Sequence, residues 1–330
     1  MKTAVFSTKS YDREYLNRFN SSHSHELTYF EAPLNKNTVN LTVGYEAVCV
    51  FVNDDLNKEV IDELSSKGVK VIALRCAGFN NVDLDEATNK GIAVVRVPTY
   101  SPQAVAEHAM ALILTLNRKT HKAYNRIRES NFSLERLTGF DIHGKTVGII
   151  GTGHIGALFA KIVLGFGCNV IGYDVNENKE LVDAGVKYCG LDELFKNSDI
   201  ISLHCPLIPA THHLLNKNAF DKMKDGVMVI NTSRGALINT TDAIAALKSG
   251  RLGYLGIDVY EQEEKLFFKD LSEEIIEDDE ISRLMTFPNV LITSHQGFFT
   301  KEALEEIAST TLKNLTDIEE GRGSKNEIKV

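Results

Sequence analysis

The run Val147-Gly-Ile-Ile-Gly151-Thr-Gly153-His-Ile-Gly156, followed by Asn169-Val-Ile-Gly-Tyr173 and then Asp174, constrains the fold of this chain more than any other feature. An isolated glycine triplet is common. A strand, a glycine turn, a helix and an acid-tipped second strand in series are the parts of a dinucleotide-binding unit. Val147 to Ile150, β-branched or small, suit a buried parallel strand. Gly151 allows a sharp turn, Gly153 lets backbone approach a pyrophosphate, and Gly156 permits close packing of the next helix on the strand. That helix directs free N–H groups and its positive end at the phosphates. Asp174 selects the cofactor, because a carboxylate there accepts bonds from ribose hydroxyls and repels a 2′-phosphate, which favours NAD over NADP. The plainer reading, a tight turn and a local cap, leaves the register of the parts unexplained.

Two domains are expected from 330 residues with 43% hydrophobic and 25% charged content. The formal charge of −9 offers no basic surface to a polyanion, so a nucleic-acid partner is not expected. Met1 to Phe6 is followed at once by the polar run Ser7 to Glu14, too early for the apolar core of a signal peptide. No stretch is long and apolar enough to span a bilayer. The five cysteines, Cys49, Cys76, Cys168, Cys189 and Cys205, are scattered within apolar runs, as expected of reduced thiols in a cytoplasmic protein. There is no Cys-x-x-Cys, and His204-Cys205 and His212-His213 lack zinc-site spacing, so no metal is expected and a zinc-dependent alcohol dehydrogenase is disfavoured.

A first alternating block precedes the glycine run. Ala4–Phe6, Ala47–Val52, Val71–Leu74 and Val94–Val97 read as short buried strands, with helices at Asn57–Lys67 and Val82–Lys90 between them. Ser101-Pro102 suits the start of a long apolar helix, Gln103 to Lys119, and marks a domain junction. Ala104, Ala106, Ala109 and Ala111 let that helix pack closely, either within the chain or against a second copy. Later strands follow at Asp199–His204, Val227–Asn231, Leu255–Asp258 and Phe287–Thr293, with a helix at Thr241–Lys248. Residues 263 to 280, acidic around Phe267-Phe268, read as a solvated excursion with some helix. A helix from about Thr300 to Glu320 precedes a frayed terminus, Gly321 to Asn326.

Three polar positions stand where strands of the cofactor unit end, the edge at which open α/β sheets bind ligands. Arg234 lies just past a strand in Asn231-Thr-Ser-Arg-Gly-Ala236, where a planar charged fork suits a carboxylate. His295 ends Val290-Leu-Ile-Thr-Ser294 and is placed to shuttle a proton near neutral pH. The third is a glutamate, and spacing does not choose among Glu261, Glu263 and Glu264. Taken singly, each has an ordinary reading: a surface ion pair for Arg234, a satisfied core histidine for His295, a solvated charge run for the glutamates.

Together, Gly151-Thr-Gly-His-Ile-Gly156, Leu203-His-Cys-Pro206, Asn231-Thr-Ser-Arg-Gly235, Asp258-Val-Tyr-Glu261 and Ser294-His-Gln296 resemble the D-2-hydroxyacid dehydrogenase family nearly end to end. Arg75-Cys-Ala-Gly-Phe-Asn-Asn-Val-Asp83, Val95-Arg-Val-Pro98 and Asn131-Phe-Ser-Leu134 are most similar to its fermentative D-lactate dehydrogenases. The resemblance implies a catalytic set of Arg234, Glu263 and His295, choosing Glu263 over its neighbours. Arg234 would bind the substrate carboxylate and His295 would be the acid/base, its imidazolium stabilised by Glu263. Backbone amides at Ala77 and Gly78, with Tyr100, would help hold the substrate. The cofactor NAD would lie against Gly151, Gly153, His154, Ile155, Gly156, Asp174, Cys205, Pro206, Thr211, Thr232, Ser233 and Asp258. Cys205 stands where valine is commoner and Thr211 where asparagine is frequent, which weakens only the latter assignment.

The fold implied is two Rossmann-like or flavodoxin-like parallel-sheet α/β domains with a cleft between them. Residues 1–99 and 298–330 would form the substrate-binding domain and 100–297 the NAD-binding Rossmann domain. The activity implied is reversible reduction of pyruvate to D-lactate with NADH in a cytoplasmic homodimer or homotetramer. A relative acting on a larger 2-keto acid is the nearest rival, and Phe51 and Phe299 would wall a small pocket against it. A non-catalytic NAD(H) sensor would not need all three catalytic positions. A formate dehydrogenase would carry glutamine in place of the glutamate.

Overall fold

Buried β-branched runs separated by capped amphipathic helices generate two parallel sheets, and the structure is a computed structural model describing residues 1–329, save for the side chain of Lys265. The chain divides into two compact units, one of Met1–Ser101 with Phe299–Val330 and one of Pro102–Phe298.

In the first unit the chain runs β1 (Lys2–Val5), α1 (Ser10–Asn20), β2 (Glu26–Tyr29), β3 (Ala47–Val50), α2 (Lys58–Ser66), β4 (Val71–Leu74), α3 (Leu84–Asn89) and β5 (Ala93–Arg96). Its sheet has the order β2-β1-β3-β4-β5, with every pair parallel. Strand alternation divides the core. Val48 and Val50 face Val60, Ile61 and Leu64 of α2, whereas Ala47 and Cys49 face Leu16 of α1 and the C-terminal helix residues Leu312 and Leu315. Both faces are covered, which is why β3 reads as an unbroken apolar run. Asn57 and Asp83 cap α2 and α3 by accepting from Val60 N and Glu86 N.

The second unit contains α4 (Pro102–Arg118), α5 (Thr120–Arg128), β6 (Thr146–Ile150), α6 (His154–Gly165), β7 (Asn169–Tyr173), α7 (Lys179–Asp183), β8 (Lys187–Tyr188), α8 (Leu191–Asn197), β9 (Ile200–Leu203), α9 (Lys217–Lys222), β10 (Val227–Asn231), α10 (Thr240–Ser249), β11 (Leu252–Ile257), α11 (Asp279–Thr286) and β12 (Val290–Ile292). The sheet order is β12-β11-β10-β9-β6-β7-β8, all parallel, so the chain reverses direction across the sheet at β6. That reversal is the place where ligands bind in such folds. Ala106 and Ala109 of α4 are wholly buried in the core shared with Phe159 and Ala160 of α6, and Ala104 is buried as well, while Ala111 is exposed. Three of the four alanines therefore pack within the chain. Phe159 is fully buried there, and its truncation to alanine is worth about 3–5 kcal/mol.

The chain then returns to the first unit through α12 (Lys301–Glu319), capped by Thr300. Two expectations are corrected. The stretch after α12 is tied down: Ile328 N donates to Val94 O at 2.8 Å, Arg96 N donates to Asn326 O at 3.2 Å, and Ser324 is buried with its hydroxyl on Asn314 Oδ1. β5 is an edge strand whose free peptide groups need partners, and this segment supplies them. Phe267 is also no part of a solvated excursion, being 7% exposed in the core with Tyr260 and Leu284.

Candidate active site

The glycine turn fits its expected geometry. Gly151 has φ +92°, and a Cβ there would lie 2.5 Å from Cys205 N, so only glycine lets β6 turn against the β9 loop. A Cβ on Gly156 would lie 1.9 Å from Gly151 O, which is how closely α6 packs on the turn. Gly153 is the N-cap of α6 and faces open space, so His154, Ile155 and Gly156 begin a helix whose amino end is clear for an anion.

Asp174 follows β7. Its Oδ2 accepts from Thr152 N at 2.6 Å and from Thr152 Oγ1 at 3.2 Å. Cys205 and Pro206 follow β9, and Thr211 stitches their loop by donating to Pro206 O and accepting from Ile208 N. Ser233, after β10, donates to Cys205 O at 2.7 Å and joins the two loops. Thr232 Oγ1 is buried with no hydrogen-bond partner among the described residues. An open helix terminus, a part-buried carboxylate with acceptor capacity and an orphaned hydroxyl at one sheet edge fit a dinucleotide.

The candidate catalytic side chains lie on the same edge of this unit. His295 Nδ1 is 2.8 Å from Glu263 Oε1, and Glu263 Oε2 accepts from Tyr260 N at 2.9 Å. The three glutamates thereby separate. Glu261 is held by His213 and Thr240, hydrogen bonds that outweigh its burial and lower its pKa, whereas Glu264 is exposed. Arg234 sits part-buried after β10, its Nη1 on Ser233 O at 2.7 Å. A Cβ on the adjacent Gly235 would lie 2.1 Å from the Tyr260 carbonyl carbon, so the Arg234 turn rests directly on the backbone that fixes Glu263.

Asp258, 1% exposed, organises the His295 loop. Its carboxylate accepts from Thr293 Oγ1 at 2.5 Å, Gln296 N at 2.8 Å and Gly297 N at 2.7 Å, and its carbonyl accepts from His295 N at 2.7 Å. His108 Nε2 on α4 lies 3.2 Å from the same carboxylate and 3.1 Å from Thr293 Oγ1. Burial raises the Asp258 pKa, but the bonds from His108, Thr293 and Gln296 outweigh it and the net shift is downward. His295 itself has φ 53°, a left-handed conformation uncommon outside glycine and frequent at functional sites.

Ala77, Gly78 and Tyr100 belong to the first unit. Ala77 and Gly78 follow β4, where Arg96 Nη1 donates to Ala77 O at 2.8 Å and Cys76 Sγ lies 3.3 Å from Gly78 O. Tyr100 follows β5, just before the unit ends.

A family model described as D-isomer specific 2-hydroxyacid dehydrogenase, NAD binding domain, matches residues 110–297. The chain belongs to the D-isomer specific 2-hydroxyacid dehydrogenase family. This 2-hydroxyacid dehydrogenase is 53% identical to the D-lactate dehydrogenase of Escherichia coli strain K12 over 99% of its own length and 100% of the relative's. The apo structure of the Escherichia coli D-lactate dehydrogenase superposes with a TM-score of 0.93 at 51% identity, covering 100% of both chains. The Aquifex aeolicus D-lactate dehydrogenase complexed with NAD and lactic acid matches with a TM-score of 0.85 at 35% identity, covering 97% of this chain and 96% of that one. The cofactor of this dehydrogenase is NAD.

Three participants went unrecognised in the sequence. His108 was signalled by its place between buried Ala104 and Leu112 at helical spacing, where a polar side chain needs a partner. Thr293 carried no comparable signal. Tyr188, whose hydroxyl reaches Thr152 at 2.8 Å, lies in a strand of two residues without periodicity.

Proposed function

We propose that this chain is an NAD-dependent D-lactate dehydrogenase, reversibly reducing pyruvate to D-lactate. The observation that carries the reading is the His295–Glu263 pair, set after β12 and β11 in a family whose members include a D-lactate dehydrogenase at 53% identity. NADH, when bound, supplies the hydride that attacks the keto carbon. His295, with Nδ1 committed to Glu263, gives a proton from Nε2 to the keto oxygen and recovers it when lactate is oxidised. Glu263 stabilises the imidazolium that exists before the transfer. Arg234 binds the substrate carboxylate through its guanidinium fork. Ala77 and Gly78 amides and Tyr100 complete the substrate contacts. Gly151, Gly153, His154, Ile155, Gly156, Asp174, Cys205, Pro206, Thr211, Thr232, Ser233 and Asp258 hold NAD.

We further assign substrate binding to a domain of residues 1–99 and 298–330 and cofactor binding to one of residues 100–297, bounds that differ by one or two residues from those of the two compact units. The chain works in the cytoplasm, in keeping with its five free cysteines. Among the described residues no helix is long and apolar enough to cross a membrane. It also works as a homo-oligomer. Tyr124, Ile127, Phe132 and Leu134 are 56–81% exposed on and after α5, interspersed with Arg126, Arg128, Glu129 and Glu135, a mixed-sign apolar surface suited to a second copy. Leu134→Glu is expected to lower the mass measured by light scattering; an unchanged mass would move the contact elsewhere.

The assay that tests the activity follows loss of NADH absorbance with pyruvate, hydroxypyruvate, 2-ketoisocaproate and phosphohydroxypyruvate, with chiral analysis of the product. Fastest turnover of pyruvate to D-lactate is expected. Preference for another acid would change the substrate, and no turnover despite NADH binding would remove the catalytic reading.

A further inference from the structure

We propose that Tyr188 and Thr152 form a hydrogen-bonded relay that fixes the Asp174 carboxylate for the adenosine ribose of NAD, and so help set the preference for NAD over NADP. The inference rests on the reading of Asp174 as the ribose acceptor.

The relay runs in one direction. Asn178 N donates to Tyr188 Oη at 3.0 Å, Tyr188 Oη donates to Thr152 Oγ1 at 2.8 Å, and Thr152 Oγ1 donates to Asp174 Oδ2 at 3.2 Å. A peptide N–H can only donate and an ionised carboxylate can only accept, so both hydroxyls between them are locked in a single orientation. Thr152 N adds a second bond to the same oxygen at 2.6 Å. Among the described residues Oδ1 accepts only from Asn176 N, at 3.2 Å, which leaves capacity for a ribose hydroxyl.

The fold makes room for this arrangement. Tyr188 lies in β8 at the sheet edge, in register with Gly172 of β7. A Cβ at Gly172 would lie 3.2 Å from Tyr188 Cε1 and 3.4 Å from Thr152 Cγ2, tighter than ordinary packing. The glycine two residues before Asp174 thus lets the phenol cross the strand and reach the glycine turn. Thr152 is 3% exposed, so its hydroxyl has no solvent to fall back on. Without the Tyr188 donor the Thr152 hydroxyl regains a choice of orientation, and the carboxylate gains freedom that ribose binding must remove. NADPH makes no use of a fixed acceptor, since its 2′-phosphate is repelled by the carboxylate.

The test is fluorescence titration of the full chain with NADH and with NADPH, in the absence of substrate. For Tyr188→Phe the NADH dissociation constant is expected to rise about 5-fold, the scale of one lost hydrogen bond, while that for NADPH stays constant. Thr152→Val should reproduce the effect and Thr152→Ser should restore binding, which also serves should either variant fold poorly. Asp174→Ala should weaken NADH, and adding Tyr188→Phe to it should cause no further loss. An unchanged ratio of the two constants in Tyr188→Phe, or a loss that adds in full to that of Asp174→Ala, overturns the relay alone. NADH binding unaffected by Asp174→Ala overturns the ribose assignment, and the relay falls with it.

Discussion

The main-chain N–H of His295 donates to the carbonyl of Asp258 at 2.7 Å, holding the candidate acid/base at φ 53°. The Asp258 carboxylate reinforces this through the amides of Gln296 and Gly297. Asp258→Asn replaces acceptor capacity with an NH₂ group facing amide donors, and should cost about 1–3 kcal/mol and reduce turnover at least tenfold. Because the folded state lowers the pKa of Asp258, its stabilisation is complete above the ordinary aspartate value of about 4 and is lost as pH falls through the depressed one. Urea melts between pH 6 and 3 should therefore converge for the two proteins; a constant gap would count against this account.

Glu263 meets His295, the proposed acid/base, through one bond to Nδ1. Glu263→Gln keeps the shape and removes the carboxylate charge beside His295, so turnover of pyruvate should fall about 10-fold or more with KM little changed. His295→Gln should lower turnover by about 10²-fold or more at every pH. Equal turnover by Glu263→Gln and the unmodified chain would remove Glu263 from the proposed proton step.

Arg234 and Gly235 separate binding from positioning. Arg234→Lys keeps the charge but loses the planar fork, so KM for the keto acid should rise about 10-fold or more. Gly235→Ala sets a methyl group 2.1 Å from the Tyr260 carbonyl carbon and must part the Arg234 turn from the Glu263 segment. Both KM and kcat should suffer in that variant. Wild-type kinetics for Gly235→Ala would mean that the two segments work independently.

His204 lies beneath the glycine turn, its ring 4.9 Å from Phe159 and its Nε2 2.9 Å from Ser202 Oγ, and burial pushes its pKa down to about 3. Between about pH 6.5 and the depressed value the unfolded chain binds a proton that the folded chain refuses, so stability falls by ~1.4 kcal/mol per pH unit as pH drops through this window. Denaturant melts at pH 7.5, 6.5, 5.5 and 4.5 should show this slope, and His204→Leu should flatten it. Parallel slopes would assign the acid sensitivity elsewhere.

Strands and long helices were legible where burial imposed periodicity. β4 and β10 span the expected residues, and α12 differs from its expected range only at its caps. The glycine turn was legible because steric demand admits only one residue type there. Less visible were elements whose stability comes from context: α5 buries no side chain, β8 has two residues, and β2 has no fully buried position. The left-handed backbone of His295 could not be foreseen, since Ser294-His-Gln296 contains no glycine and the conformation is imposed by Asp258, 37 residues earlier. Choosing Glu263 from residues alone was impossible for a related reason: the partners that distinguish it from Glu261, His295 and His213, are distant in the chain.

The discontinuity of the first unit has a bearing on how the protein is made. Leu312 and Leu315 of α12 cover one face of a sheet whose strands were all synthesised before residue 97. Residues 102–298 have every strand of their own sheet before α12 leaves the ribosome. The cofactor unit can therefore complete its core while the first sheet still exposes Ala47, Cys49, Val71 and Val95 on its unfinished side. For roughly 10 to 40 seconds of elongation at about 5–20 residues per second, that face is a natural client for a chaperone.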